Sequence, residues 1–194
     1  MNLKQFGVLL SVSTLIGINI GTTKALTQEP SIQFGEAISQ GSCTIENQLA
    51  SEDGRTLAIA FKDFTAANGK RNKCVLRINT TIPSGFHVQD VQILYQGTAE
   101  VASGGNTSLS RSYIFNGGAF GQPTAPSKTS KFTESNPLFQ EQDELTVASA
   151  SCGGQGQLGM NMVAASSRGS SIFVDTADLN AGDVKINIDI VSCS

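Results

Sequence analysis

The chain has 194 residues, of which 39% are hydrophobic and only 15% charged, and its formal net charge is -3. Its polarity comes from 22 Ser, 16 Thr and 20 Gly, a composition that excludes coiled coils, helical bundles and highly charged disordered chains. One His excludes a multi-histidine metal centre, and the absence of Trp with only two Tyr argues against an aromatic platform that stacks sugars.

The first residues predict a secretory signal peptide. An uncharged, mostly apolar run from Phe6 to Ile20 follows a short positive n-region, and Thr23 and Ala25 then form a small-x-small cleavage site. An uncleaved membrane anchor is the alternative, although about 15 apolar residues are fewer than the roughly 20 that cross a bilayer. We therefore predict a signal peptide over residues 1–25 and one domain over 26–194, secreted to the extracellular space or periplasm, with no membrane span.

Four cysteines lie in the predicted mature chain, an even number that is typical of an oxidising compartment. Four cysteines allow three pairings. Their distribution favours Cys43 with Cys74 and Cys152 with Cys193, because one pair then lies in each half of the chain. A zinc site is the alternative, but the chain has no C-x-x-C spacing and His87 is remote in sequence.

Apolar residues at every second position predict about nine or ten short strands, since a strand places alternate side chains on one face. The predicted runs are, in chain order, Thr56–Phe61, Cys74–Ile82, Phe86–Tyr95, Thr98–Val101, Leu109–Phe115, Leu145–Ser149, Leu158–Val163, Ser171–Val174 and Val184–Ile190. A slip of the apolar phase predicts a bulge near Asp90. Glycine-rich turns separate the runs, and together these features predict an all-β, antiparallel β-sandwich of Greek-key or jelly-roll type with two disulfides.

Residues 117–143 interrupt this alternation. They contain three of the five prolines and no sustained apolar period. Connections of this length are uncommon unless they have a function, are flexible or contain an unrecognised element. We predict a long exposed loop here, and we expect it to carry a binding surface.

Catalytic residues are sparse. His87 is the only imidazole, and its place in the alternation directs it away from the apolar face, where a solvent-facing histidine is the simpler explanation. Carboxylates on the predicted strands, Asp90, Glu100, Asp183 and Asp189, leave a hydrolase of the glycosidase kind open, but no apolar pocket shared by two of them is visible in the sequence.

A calcium site is a second metal alternative. Its candidate ligands are Asp175, Asp178, Asn180 and Asp183, which fall within nine residues and resemble part of a calcium loop without the distal Glu of an EF-hand. Asp and Asn are also common turn residues, which explains the cluster without a metal. Nothing in the sequence indicates a cofactor.

Basic residues concentrate in residues 62–77, which hold Lys62, Lys70, Arg71, Lys73 and Arg77. A patch that faces an anionic polymer is one interpretation, and a solvated loop and strand face is the other. The protein as a whole is acidic, and the nearby aromatic residues are expected in the core, so nucleic acid is not an expected partner.

A set of short motifs spread over residues 31–193 resembles a known family. The motifs are Gly41-Ser42-Cys43, Phe61-Lys62-Asp63-Phe64-Thr65-Ala66, Arg71-Asn72-Lys73-Cys74, Ile82-Pro83-Ser84-Gly85-Phe86, Tyr95-Gln96-Gly97, Tyr113-Ile114-Phe115, Ser151-Cys152-Gly153, Leu158-Gly159-Met160-Asn161 and Cys193. In this order they resemble the domain of unknown function 4360, a family of small exported proteins of fungi and bacteria. The resemblance implies export and a β domain tied by cystines, and it implies no established activity.

These observations favour an exported, non-catalytic binding or structural module at the cell surface or in the extracellular space. The expected partner is an extracellular polymer or a protein. The alternative is a secreted hydrolase that uses acidic residues or His87.

Overall fold

The computed structural model describes residues 30–124, 127–148, 150–174 and 184–194. The predicted signal peptide therefore lies outside the described residues. So do all four calcium candidates, Asp175, Asp178, Asn180 and Asp183. Within the described ranges no helix is long and apolar enough to cross a bilayer.

Thirteen strands and one short 3-10 turn make up the described chain. The strands are β1 Gln33–Gly41, β2 Ile45–Ala50, β3 Thr56–Phe61, β4 Thr65–Ala67, β5 Arg71–Ile82, β6 Phe86–Glu100, β7 Thr107–Asn116, β8 Gln122–Pro123, β9 Ser127–Phe132, β10 Asn136–Ala148, β11 Gly154–Ser166, β12 Ser171–Phe173 and β13 Val184–Ser192. The 3-10 turn is Gly118–Phe120.

Two antiparallel sheets form a sandwich. The first, sheet A, has the strand order β1-β5-β11-β7-β9, and the second, sheet B, has the order β2-β3-β13-β6-β10-β8 with β12 joining β6 to β4. The chain passes repeatedly from one sheet to the other, for example from β5 in sheet A to β6 in sheet B and back to β7 in sheet A. The predicted all-β, antiparallel sandwich is confirmed.

The core lies between the sheets and follows the alternation in the sequence. On β5 the predicted inward residues Cys74, Leu76, Ile78, Thr80 and Ile82 are all buried. The aliphatic residues at every second position of β13 are buried against them from sheet B. Burial of each such side chain stabilises the fold by about 1.5–3 kcal/mol before entropic costs.

The predicted bulge near Asp90 is present on β6. Asp189 pairs with Asp90, but the next residue, Ile190, pairs with Val88, so Gln89 is an extra residue on β6. The extra residue explains why the apolar phase of this strand slips in the sequence.

The long loop expected at residues 117–143 is wrong in most of its length. The segment contains the 3-10 turn, β8, β9 and the start of β10. β9 was not predicted because it is an edge strand of mainly polar, exposed residues, which show no apolar alternation. The end of β10 matches the predicted strand Leu145–Ser149, but its first part was not predicted. Its inward-facing positions are Phe139, Glu141, Asp143 and Leu145, so two carboxylates interrupt the apolar pattern.

The strand count also exceeds the nine or ten predicted. β1 and β2 are exposed edge strands with few buried residues, so their sequences show little apolar alternation. The predicted strands Phe86–Tyr95 and Thr98–Val101 are parts of the single strand β6.

Two disulfides tie the sandwich, with the pairing that the sequence favours. Cys43 and Cys74 have Cα atoms 5.3 Å apart and join the β1–β2 connection to β5. Cys152 and Cys193 have Cα atoms 6.0 Å apart and join the chain just before β11 to the end of β13. The second bond therefore links sheet A to sheet B.

Candidate functional site

His87, the histidine that the hydrolase alternative would use, has no side-chain partner in the described structure. It is half-buried on β6, opposite Val191 of β13. Its imidazole makes no hydrogen bond or ion pair within the described part of the chain. A nucleophilic triad needs a Ser or Cys on one side of the imidazole and a carboxylate on the other, and His87 has neither at bonding distance.

The predicted strand carboxylates fall in separate places. Asp90 and Asp189 face each other across β6 and β13 on the outer side of sheet B. Glu100, at the end of β6, accepts a hydrogen bond of 3.0 Å from the Ser171 hydroxyl. Asp183 lies outside the described residues. Among the described residues, no group of three or more His, Cys, Asp and Glu side chains is placed to hold a metal ion.

A buried ionic network lies between the sheets, and the sequence did not indicate it. Arg111 on β7 and Asp143 on β10 are each 2% exposed. The Arg111 guanidinium donates to both carboxylate oxygens of Asp143, with Nε to Oδ2 at 2.8 Å and Nη2 to Oδ1 at 3.1 Å. The Tyr113 hydroxyl donates to the same carboxylate. The Tyr95 hydroxyl lies 2.9 Å from that of Tyr113 and bonds Met160 Sδ at 3.5 Å.

The network keeps Asp143 ionised and the two tyrosines neutral. Burial alone would raise the pKa of Asp143, but hydrogen bonds from Arg111 and Tyr113 and the charge of Arg111 outweigh it and lower this pKa. Burial raises the pKa of Tyr95, and burial together with the neighbouring Tyr95 and Asp143 raises the pKa of Tyr113. The guanidinium also lies 5.1 Å from the centre of the Tyr95 ring.

This arrangement holds the sandwich together and is poorly suited to catalysis. Both oxygens of Asp143 are occupied by donors, including Lys128 Nζ at 3.1 Å. A general acid in a hydrolase needs a carboxyl whose pKa is raised, and that of Asp143 is lowered. A cavity of about 320 Å³ opens beside the network, with Lys128 and Asp143 in its wall.

A depression with a volume of about 570 Å³ lies on sheet A. Its lining has no ionisable side chain, and we call it the amide depression because amides dominate it. Its lining residues are Gln33, Phe34, Gly35, Asn79, Thr80, Thr81, Asn116, Gly117, Gln155, Gly156 and Gln157.

Strand register brings these amides together. Gln157 of β11 pairs with Asn79 of β5 on one side and with Asn116 of β7 on the other. All three positions alternate with buried residues, so their side chains stand on the outer face of sheet A. Gln157 Nε2 donates to Asn79 Oδ1 at 2.9 Å, which orients both amides.

A bulge in β1 shapes one wall of the amide depression. Pairing between β1 and β5 shifts between Phe34 and Ala37, which frees two backbone groups from the ladder. The side chain of Gln48, on β2 of the other sheet, bonds both of these groups. Its Oε1 accepts from the Ala37 amide at 2.7 Å and its Nε2 donates to the Gly35 carbonyl at 2.9 Å.

Two glycines, Gly117 and Gly156, also line the amide depression. A side chain at Gly156 would point inward, where a Cβ would lie 2.4 Å from the buried Phe120 ring. Gly117 has a φ of +87°, and a Cβ there would lie 2.9 Å from the Gln155 carbonyl oxygen. Both positions therefore require glycine where β7 leads into the 3-10 turn beside β11.

A smaller depression of about 300 Å³ lies on the outer face of sheet B. It also carries amides, but Lys185 is part of its wall. Its lining residues are Thr56, Gln92, Leu94, Gln142, Lys185 and Asn187. Neither Asp90 nor Asp189 is among them, so the paired carboxylates and this depression are separate features.

The amide depression has no recognisable motif in the sequence, because amides on strands form none. A usable signal was present: Asn79, Gln155 and Gln157 all fall on the polar phase of predicted strands or their flanks. What the sequence does not contain is the strand order that places β5, β11 and β7 side by side.

Three solved structures are similar to the chain at low identity. A carbohydrate-binding module, TmCBM61, in complex with beta-1,4-galactotriose has 12% identity and a TM-score of 0.36, over 79% of this chain and 88% of that one. TmCBM27, a carbohydrate-binding module with specific mannan recognition, has 8% identity and a TM-score of 0.33, over 84% of this chain and 99% of that one. The enzymatically active domain of bacteriophage CBA120 tailspike protein 4 has 10% identity and a TM-score of 0.31, over 82% of this chain and 19% of that one.

No curated protein matches the chain significantly. One family model does match, over residues 34–193, which is nearly the whole of the described sandwich and includes all four cysteines. The chain therefore belongs to the family described as Domain of unknown function (DUF4360).

Proposed function

We propose that this protein is an exported, non-catalytic binding module that holds a hydroxyl-rich extracellular polymer, a polysaccharide, in the amide depression of sheet A. The observation that carries the proposal is the lining of the depression: five amide side chains and no ionisable group around about 570 Å³. Concave sites of this size, with a few polar groups in fixed positions, are typical of ligand binding.

Amide side chains suit hydroxyl groups. Each offers one carbonyl acceptor and two N–H donors, so it can accept from one hydroxyl and donate to another. A sugar ring presents several hydroxyls, each of which can both donate and accept a hydrogen bond. An isolated anion or cation, in contrast, would enter this depression without an opposite charge in its wall.

Rigidity supports the same role. Asn79 and Gln157 already bond each other, and Gln48 holds the bulged strand that forms one wall. Side chains that are held in place before binding lose little conformational entropy when a ligand arrives. The two disulfides and the absence of a membrane-spanning helix in the described residues are compatible with an exported protein.

The rival hydrolase finds less support. His87 has no partner for a triad within the described chain, and Asp143 is ionised and saturated with donors. The amide depression holds no acid or base, and general acid–base catalysis requires one within hydrogen-bond reach of the substrate.

The test is affinity gel electrophoresis against a panel of soluble neutral and acidic polysaccharides: xylan, glucomannan, dextran, alginate and polygalacturonate with its methyl ester. We expect at least one polymer to retard the protein. The double substitution N79A/Q157A should weaken that retardation about tenfold, because it removes two amides that each contribute roughly 0.5–1.5 kcal/mol.

The matched control is Q89A/Q92A, which removes two amides from β6 in sheet B. It should bind like the unchanged protein. The proposal fails if no polymer of the panel retards the protein, or if N79A/Q157A binds as well as the control.

A further inference from the structure

A second depression of about 380 Å³ lies on the same outer face of sheet A, nearer its β9 edge. We infer that it binds the anionic groups of the polymer, so that the ligand class is an acidic polysaccharide. This inference rests on the proposed function, since it assigns the charge of the polymer held by the amide depression. Its lining residues are Arg71, Lys73, Ser110, Arg111, Ser112, Ser127, Lys128, Thr129, Asn161 and Val163.

The register sets the positions of the cations around this depression. In one row across the sheet, Arg71 of β5 and Lys131 of β9 flank the small residues Ala165 and Ser108. In the next row, Lys73 stands on β5 beside Val163, followed by Ser110. Arg71 and Lys73 line the depression on its β5 side, and Lys131 lies beyond its lining, three strand spacings or about 14 Å from Arg71. We call the depression with these flanking cations the basic trough.

The cations of the basic trough are free to meet an anion. Arg71, Lys73 and Lys131 are exposed and form no ion pair within the described ranges. Lys128, in contrast, is already paired with Asp143. No carboxylate lines the trough, although the whole protein has a net charge of -3. The basic cluster seen in the sequence thus contributes Arg71 and Lys73 to this surface.

One polymer can occupy both depressions. Gln157 in the amide depression and Val163 in the basic trough lie on the same strand, β11, six residues or about 20 Å apart. Between them the Arg77 guanidinium lies over Gly159, where a Cβ would come within 2.9 Å of its Nη1. A further cation, Arg77, therefore lies between the amide depression and the basic trough.

The lining of the two depressions favours an acidic sugar chain over nucleic acid. The amide depression offers hydrogen bonds suited to hydroxyls. Phe34 is the one aromatic residue in its lining, and it is half-buried. Single-stranded nucleic acids bind to rows of aromatic residues on which bases stack, and neither depression presents such a row.

The experiment uses polymers that differ only in charge: polygalacturonate against its methyl ester, and dextran sulfate against dextran. Dissociation constants are measured at low and high salt for the full mature chain and for R71Q/K73Q. We expect the substitution to weaken binding of a charged member about tenfold at low salt and less at high salt, because exposed charges are screened. The dissociation constant of R71Q/K73Q for the neutral polymer should stay within about twofold of that of the unchanged protein, since the neutral polymer carries no charge.

The matched control is K62Q/K185Q, which removes the same number of charges from residues in or next to sheet B strands. The inference is overturned if this control weakens polyanion binding as much as R71Q/K73Q does, if neither charged polymer binds better than its neutral partner, or if duplex DNA binds more tightly than both.

Two outcomes separate this inference from the proposed function. If R71Q/K73Q has no effect while N79A/Q157A abolishes binding, only this inference falls. If N79A/Q157A has no effect on any polymer, the proposed function itself falls. Preference for polygalacturonate over dextran sulfate, or the reverse, distinguishes carboxylate from sulfate as the recognised group.

Discussion

Tyr95 and Tyr113 are the only tyrosines of the chain, and both are buried beside Asp143. Burial raises the pKa of each phenol above its usual value. A raised pKa means that the folded state holds its proton at a pH where the unfolded chain has lost it. The stabilisation is therefore complete below about pH 10, and it is lost as the pH rises above that value at roughly 1.4 kcal/mol per pH unit for each tyrosine.

A spectrophotometric titration checks this prediction directly, because no other tyrosine and no tryptophan contributes to the absorbance. We expect tyrosinate absorbance at 295 nm to appear together with the loss of the β-sheet circular dichroism signal, in one cooperative step. Y113F should give about half the amplitude. A gradual rise in tyrosinate near pH 10 with an unchanged circular dichroism spectrum would show that the two rings are exposed.

At the scale of the element, Gln48 controls the bulge of β1. Its side chain satisfies the Ala37 amide and the Gly35 carbonyl, which lack ladder partners. Q48A removes both bonds, so we expect the free energy of unfolding to fall by about 1–3 kcal/mol. Urea denaturation measures the change.

The control is Q40A, at an exposed glutamine of β1 whose side chain makes no hydrogen bond in the described structure. It should change the stability by less than about 0.5 kcal/mol. If Q48A and Q40A were equally stable, water or another group would be bonding the Ala37 amide and the Gly35 carbonyl as well as Gln48 does.

At the scale of the whole molecule, the disulfides limit the freedom of the unfolded chain. Their cysteines are 31 and 41 residues apart in sequence. For loops of this length, loss of chain entropy in the unfolded state contributes about 4 kcal/mol to each bond, a large share of a typical total of about 5–15 kcal/mol. C43S/C74S and C152S/C193S should each lower the urea midpoint strongly, by similar amounts.

Peptide mapping of the non-reduced, exported protein tests the pairing that underlies this prediction. Peptides joined through Cys43 and Cys74, and through Cys152 and Cys193, are expected. Four free thiols, or a cross-link between the two halves of the chain, would contradict the structure.

The sequence predicts much of the fold because side-chain alternation is a local property of a strand. The inward set of β5 and the bulge near Asp90 both follow from residues a few positions apart. The sequence does not predict the edge strands β1, β2 and β9 or the first part of β10, because their polar residues hide the apolar alternation. From the sequence alone, Asp143 is expected at the surface. In the folded protein it is buried because Arg111, 32 residues away, provides the compensating charge.

The candidate sites depend on relations that the sequence does not contain. Asn79 and Gln157 are 78 residues apart, and they meet only because β11 pairs with β5 in one particular register. Arg71 and Lys131 likewise come to flank one depression only through the order β5-β11-β7-β9. Alternation and cysteine distribution are local or countable properties of the chain, so the amino-acid sequence is sufficient to predict an antiparallel β-sandwich with two cystines. The places where polar side chains collect follow only from the folded molecule, because the choice and register of neighbouring strands are set by packing across the whole sandwich.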